Sequence, residues 1–230
     1  MKKFILSILF FLITSTSILS QTGHYTNFNK LEYNLYRNNK LIGNHKFDFY
    51  RKDGNLEVKS LVEFKISKLG VDLYKYRAES SEIYENNVFS KFSAKTNQNK
   101  KKKYVNIVRN MKDKQLSVDG SSYKGPASSE YIVGTWWNHE IVKAKAQISA
   151  ISGRIIKQDV TFIGKEVINI DGKNYNTLHF NFKSSNEDLP PEKILNTDIW
   201  YDEESLLWVK AAFDKTGYNK CSFNPKKTLF

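Results

Sequence analysis

Apolar and polar residues alternate along most of this chain with a period of two. Leu41, Gly43, His45, Phe47 and Phe49 mark one largely apolar face, while Lys46 and Asp48 point away. Leu56, Val58, Val62, Phe64 and Ile66 alternate with Glu57, Lys59, Glu63 and Lys65. Leu178, Phe180 and Phe182 alternate with Thr177, His179, Asn181 and Lys183. Such a period puts one face on a core and leaves the other in water, as antiparallel strands do. Between the runs stand Asn38-Asn39, Asp53-Gly54, Leu69-Gly70, Asn86-Asn87, Asp119-Gly120 and Asp171-Gly172. Asn and Gly enter the positive-φ region that tight hairpins require. The pattern predicts strands near 31–37, 41–51, 56–66, 71–84, 88–97 and 104–109, then near 156–163, 165–170, 175–183, 197–202 and 206–213.

One stretch departs from this period. In Ser128 to Lys143, Ser128 is placed to cap a short helix with Tyr131, Ile132 and Trp136 at helical spacing, although Gly134 opposes it. Asn186 to Glu192 is polar and proline-stiffened, a loop between strands. About eleven antiparallel strands accumulate twist until the sheet curls, splits or closes. The expected fold is all-β: a long antiparallel meander forming a curled, half-open barrel, with one short helical segment near 128–143 across its mouth. A two-sheet sandwich is the alternative. No linker or composition shift divides the chain, so residues 21–230 are expected to form one β domain.

The first twenty residues stand apart. Lys2 and Lys3 precede a run from Phe4 to Ile13 that is apolar except for Ser7, and Ser15, Ser17 and Ser20 close it. A basic start, an apolar stretch of about ten residues and small residues at the exit describe a secretory signal peptide. Cleavage is expected near Ser20-Gln21. The run is too short for an ordinary transmembrane helix, which needs about 20 apolar residues. The only cysteine, Cys221, lies far from the leader, so neither a lipid-anchoring cysteine nor an internal disulfide is expected. These features predict a soluble, periplasmic or secreted protein that does not span a membrane, with Cys221 an inert thiol.

Charge changes the picture less than its size suggests. The chain carries 36 basic and 24 acidic residues, net +12, but only Arg37, Arg51, Arg77, Arg109 and Arg154 are arginine. Arginine is the usual choice for bidentate phosphate and base contacts. With export, this argues for solubility and attraction to anionic surfaces, and against a nucleic-acid partner.

Candidate chemistry is sparse. No GxSxG, HExxH, CxxC or phosphate-binding glycine loop occurs, and the four histidines show no metal-ligand spacing. No cofactor or metal is expected. His45, on an apolar face, is expected to be a satisfied core histidine, and His179, on a polar face, to be solvated. Trp136-Trp137-Asn138-His139-Glu140 is the densest cluster. It has two readings: an aromatic plug filling the barrel, or a pocket rim with a tryptophan against an apolar ligand and His139 supplying polarity. Lys100, Lys101, Lys102 and Lys103 read as a solvated hairpin tip or as a contact for anionic headgroups. Asp202, Glu203 and Glu204 sit at one turn tip, which does not place carboxylates on opposite sides of a sugar as glycoside hydrolysis needs.

The segments Tyr33-Asn34-Leu35-Tyr36-Arg37 with Leu41-Ile42-Gly43, Thr135-Trp136-Trp137-Asn138, Ser152-Gly153-Arg154, and Ile199-Trp200-Tyr201-Asp202 with Val209-Lys210 resemble the DUF6134 family. That is an uncharacterised family of secreted bacterial proteins related in pattern to DUF3108. The tail after Phe213 adds nothing to the likeness. The resemblance implies an open-barrel all-β fold similar to periplasmic lipoprotein or lipid carriers, and carries over no catalytic residue. The expected function is non-enzymatic binding or carriage of an apolar or amphipathic, lipid-like ligand. Tyr131, Trp136, Trp137, His139, Arg154 and Trp200 are the candidate contacts. The alternative is an envelope structural or assembly factor that meets a protein partner through a strand edge or the basic face.

Overall fold

A computed structural model describes residues 25–110, 112–113, 115–186, 189–215 and 218–227, with backbone alone for Glu192, residues 214–215 and 218–227. The leader and its cleavage point lie outside these residues, and Cys221 lies where only backbone is described.

Six strands form a meander of hairpins: β1 (Lys30–Arg37), β2 (Lys40–Lys52), β3 (Asn55–Lys68), β4 (Val71–Glu85), β5 (Val88–Gln98) and β6 (Lys101–Asn110). β7 (Gln115–Gly120) and β8 (Lys124–Ser128) extend it to one edge. The chain then crosses to the far edge through the two-residue β9 (Ile132–Val133) and β10 (Ala146–Ile148), which run parallel to each other. It returns through β11 (Ile155–Ile170), β12 (Lys173–Ser184), β13 (Asn196–Asp202) and β14 (Trp208–Lys215). β15 (Tyr218–Lys227) lies between β14 and β1 and joins the two halves. The order is β8-β7-β6-β5-β4-β3-β2-β1-β15-β14-β13-β12-β11-β10-β9.

The sheet curls until its edges approach, but no ladder joins β8 to β9 among the described residues. Side-chain packing and a few loop contacts hold the seam. Val133 and Ile148 pack with Phe92, Val105, Ile107, Leu116 and Val118, and the Ser122 amide donates to the Ser152 carbonyl at 2.9 Å. Gly120 permits this approach, since a Cβ there would lie 2.4 Å from the Ser152 carbonyl oxygen. The half-open barrel expected from the alternation is therefore the observed form.

Several expectations shift in detail. The runs near 156–163 and 165–170 are one strand, β11, bulged between Phe162 and Gly164. β7, though short, alternates strictly between buried and exposed residues, and it, the five-residue β8 and β15 all lie outside the strands expected from the pattern. The helical segment near 128–143 is a single 3-10 turn, His139–Lys143. Ser128 ends β8, and Asn138 caps the turn, its side chain accepting from the Glu140 amide. Only Lys100 of the lysine run lies in a turn. Lys101, Lys102 and Lys103 begin β6, so they alternate between faces and form no single cationic tip.

Candidate functional site

The concave face has two unlike ends. At the end marked by the turns Asp53-Gly54 and Asn86-Asn87, the interior is filled. Trp137 is fully buried there, with its ring edge-on to Tyr25, Phe49 and Tyr84 at 5.2, 5.6 and 5.8 Å. Its indole donates to Glu82 at 2.9 Å, and Thr135 and Tyr84 donate to the same carboxyl at 3.2 and 2.5 Å. Burial pushes the Glu82 carboxyl up, and these donors partly offset that. Gln158 steadies the segment by donating to the Ile141 and Ala144 carbonyls. Arg51 ties in the entering chain by donating to the Tyr25 and Phe28 carbonyls.

Toward the opposite end, marked by the turns Asn38-Asn39, Leu69-Gly70 and Asn99-Lys100, the same strands surround a cavity of about 350 Å³. Val62, Phe64 and Ile66 of β3 face Ala78, Tyr76 and Tyr74 of β4 across the ladder. Phe64 stacks on Tyr74 and Tyr76 at 5.9 and 4.8 Å. Trp136, Ile151, Trp208 and Phe213 complete the wall. Gly43 lets β2 lie close to β3, since a Cβ there would come within 2.0 Å of the Glu63 carbonyl oxygen.

Besides its apolar walls, the space is lined by Arg37, His45, Ser60, Glu79, Ser80, Gln98 and Thr135. His45 is buried, and its Nε2 lies 3.2 Å from Ser60 Oγ. Burial pushes the imidazole down to about 3, so the ring is neutral at ordinary pH. Arg37, at the end of β1, contributes to the lining near the Asn38-Asn39 turn. A neutral polar pair in an apolar cavity fits the usual composition of a ligand site, in which few polar groups fix orientation.

The two tryptophans divide between the two readings of their cluster. Trp137 is the plug, and Trp136 is a wall of the cavity. Trp136 adopts φ 66°, a region costly for a bulky L-residue. Tyr201 holds it by donating to its carbonyl at 2.8 Å, and its ring meets Phe182 edge-on at 5.3 Å.

The other sequence candidates are placed elsewhere. Tyr131 lines a separate cleft of about 190 Å³ with Tyr84, Arg109 and Glu140. His139 lies 3.1 Å from Glu140. Arg154 donates to the Lys193 carbonyl at 3.1 Å. Trp200 lies on the opposite face of the sheet from Ile199 and Tyr201, donating to Glu166 at 2.7 Å. His179, expected to be solvated, is stacked on Trp200 at 4.2 Å and held between Glu166 and Asp198 at 2.7 and 3.1 Å. A polar strand face gathers such a cluster because cross-strand neighbours lie within hydrogen-bonding reach. Among the described residues, no group of three or more His, Cys, Asp and Glu is arranged to hold a metal ion.

Of the six proposed contacts, the cavity thus gathers only Trp136. Its main walls, Phe64, Ile66, Tyr74 and Tyr76, read in the sequence as ordinary core positions. The signal available was position: these apolar pairs run almost to a hairpin tip, where covering chain is scarce.

The DUF6134 model, a domain of unknown function, matches residues 33–225. The chain belongs to the DUF6134 family. No curated protein matches it. Among solved structures, this DUF6134 chain is similar to a β-barrel-like protein of the DUF1849 domain from Brucella abortus, at 10% identity and a TM-score of 0.60. That match covers 87% of this chain and 97% of the other. A protein with a YmcC-like fold from Bacteroides fragilis aligns at 11% identity and a TM-score of 0.36, covering 86% of this chain and 95% of the other. The Brucella likeness establishes a shared fold for this member of DUF6134.

Proposed function

We propose that the protein is an exported, non-enzymatic carrier that holds the apolar part of an amphipathic, lipid-like ligand in the concave cavity. The observation that carries this reading is a space of about 350 Å³ walled by Phe64, Ile66, Tyr74, Tyr76 and Trp136. Its volume falls in the range of about 300–1,000 Å³ typical of small-molecule sites. Binding is driven by apolar burial, about 25 cal/mol per Å² removed from water. The neutral His45–Ser60 pair anchors a polar group at depth, and Arg37 suits an anionic headgroup. Ser60 beside His45 also resembles an activated nucleophile, but a ring held near 3 is too weak a base to take the hydroxyl proton. The pair supports binding better than hydrolysis.

The test is titration of delipidated protein with a dansyl-labelled fatty acid. The expected result is saturable binding at one site, weakened by Trp136→Ala. Absence of saturable binding overturns the proposal.

A second reading rests on a separate feature. β10 pairs β11 only at Ile155, Ile156 and Lys157, and among the described residues no other strand covers that side of β11 out to Ile170. Phe162, Ile163 and Val167 are exposed along it. An open edge of this length can accept a strand from an envelope partner. Pull-down from envelope extract with wild type and Ile163→Lys tests this, and equal recovery of partners by both counts against it.

A further inference from the structure

Six two-residue hairpin turns in this protein share one backbone form, with positive φ at both residues: 38–39, 53–54, 69–70, 86–87, 99–100 and 171–172. Five of them place Asn or Asp first, residues whose short polar side chains suit the left-handed region. The sixth places Leu69 there, at φ 50°. Leu69 is also 95% exposed. A branched apolar residue in that conformation is locally unfavourable, and in water its exposure returns nothing to the fold. Val71 and Leu73 follow on the same tip, 61% and 55% exposed, and Leu41 is 60% exposed beside the neighbouring β1–β2 turn.

This apolar tip stands at the open end of the cavity. Ile66 and Tyr74, a pair of the same hairpin, are cavity walls. Cations surround it. Lys40, Lys65, Lys68, Lys75 and Lys100 are exposed at this end. The β5–β6 turn leans on β4 through the Asn99 amide, which donates to the Lys75 carbonyl at 2.8 Å. Ile42, Lys65, Asp72, Lys75 and Lys100 line one open hollow there. The nearby acids are engaged within the protein: Asp72 by Ser67, Lys65 and Lys75, and Glu63 and Glu79 by Arg77. Exposed apolar side chains within a ring of lysines suit a bilayer with anionic headgroups, where both groups gain together.

We propose that the β3–β4 tip docks the cavity mouth on an anionic membrane surface. Leu69, Val71 and Leu73 enter the boundary between headgroups and acyl chains, and Lys40, Lys68 and Lys100 meet the phosphates while Lys65 and Lys75 hold Asp72. Docking this way would let an amphipathic ligand pass between bilayer and cavity without exposing its tail to water. That transfer step rests on the carrier function; the docking itself stands on the turn and its charges.

Flotation with phosphatidylcholine vesicles, with and without about 30% phosphatidylglycerol to set a negative surface potential, tests it. Wild type and Leu69→Asn are prepared identically. Wild type is expected to float with the anionic vesicles, less so at high salt, and Leu69→Asn to lose at least about tenfold in partition. Leu69→Asn is expected to melt no lower than wild type, since Asn suits the turn, so a loss of flotation is not a loss of fold. Equal flotation of the two proteins, or none of wild type with anionic vesicles, overturns the proposal. Titration with the dansyl fatty acid in the absence of vesicles separates the two functions. Leu69→Asn retains that binding, because Leu69 is outside the cavity wall. Loss of fatty-acid binding with flotation intact would remove the carrier and leave the docking tip.

Discussion

The two ends of the concave face are built by the same strands in the same alternation, yet one is solid and the other hollow. On β3, Leu56 and Val58 are packed core, while Val62, Phe64 and Ile66 wall a cavity. On β4, Glu82 and Tyr84 are fully buried, while Tyr74 and Tyr76 line the open space. The difference is supplied from elsewhere in the chain. Tyr25, Phe28 and Trp137 cover the solid end, and no comparable segment among the described residues covers the hollow one. A curled sheet thus makes a container only where the covering segments stop.

The contrast can be broken most forcefully at Trp137. Trp137→Ala removes the plug and leaves Glu82 without one of its donors, so a stability loss of about 3–5 kcal/mol is expected by urea denaturation. A loss of no more than about 1 kcal/mol, that of an ordinary substitution, would show that the solid end is not the anchor of the fold.

A smaller effect is expected from His45, where the hollow end meets acid. Its folded value of about 3 lies below the ordinary value of 6.5, so the unfolded chain takes up the proton first. The stabilisation is present above pH 6.5 and is lost as pH falls toward 3. Between pH 7 and 5, wild type should lose about 2 kcal/mol more than His45→Gln, which lacks the titrating ring. Parallel pH profiles for the two proteins would show that the ring is not held neutral.

The smallest expected change in stability sharpens the comparison most. Ala78→Phe places a ring in the cavity, where room exists. Stability should move by less than about 1.5 kcal/mol, while affinity for the dansyl fatty acid falls at least about tenfold (~1.4 kcal/mol). Calorimetry and fluorescence titration read the two quantities on one sample. A large destabilisation with unchanged binding would mean that the space is not the ligand site.

This division also explains what the sequence could and could not convey. Period-two alternation and turn chemistry marked nearly all the long strands, because one-sided burial and positive φ leave local traces. The cavity left none. Phe64 and Tyr76 carry the same pattern whether a partner side chain or empty space lies opposite, so cover depends on distant contacts. Trp136 and Trp137 stand out in the sequence by composition, but only the chain path turns one ring into the plug and the other into the wall. His179 looked solvated because strand alternation says nothing of the cross-strand carboxylates that clasp it. β15 leaves no local trace for a related reason, since its place is set by pairing with β1.

That pairing has a kinetic consequence. Leu31 on β1 lies opposite Lys227 on β15, so the junction between the halves closes a loop that is nearly the whole described chain. Contacts so distant in sequence are slow to form, because their entropy must be lost before any partner is gained. While the chain is being made, β1 and β14 each lack a neighbour, and neither half can complete its ladder. The molecule is therefore built to delay its own closure, staying unfinished until nearly all of its residues are present.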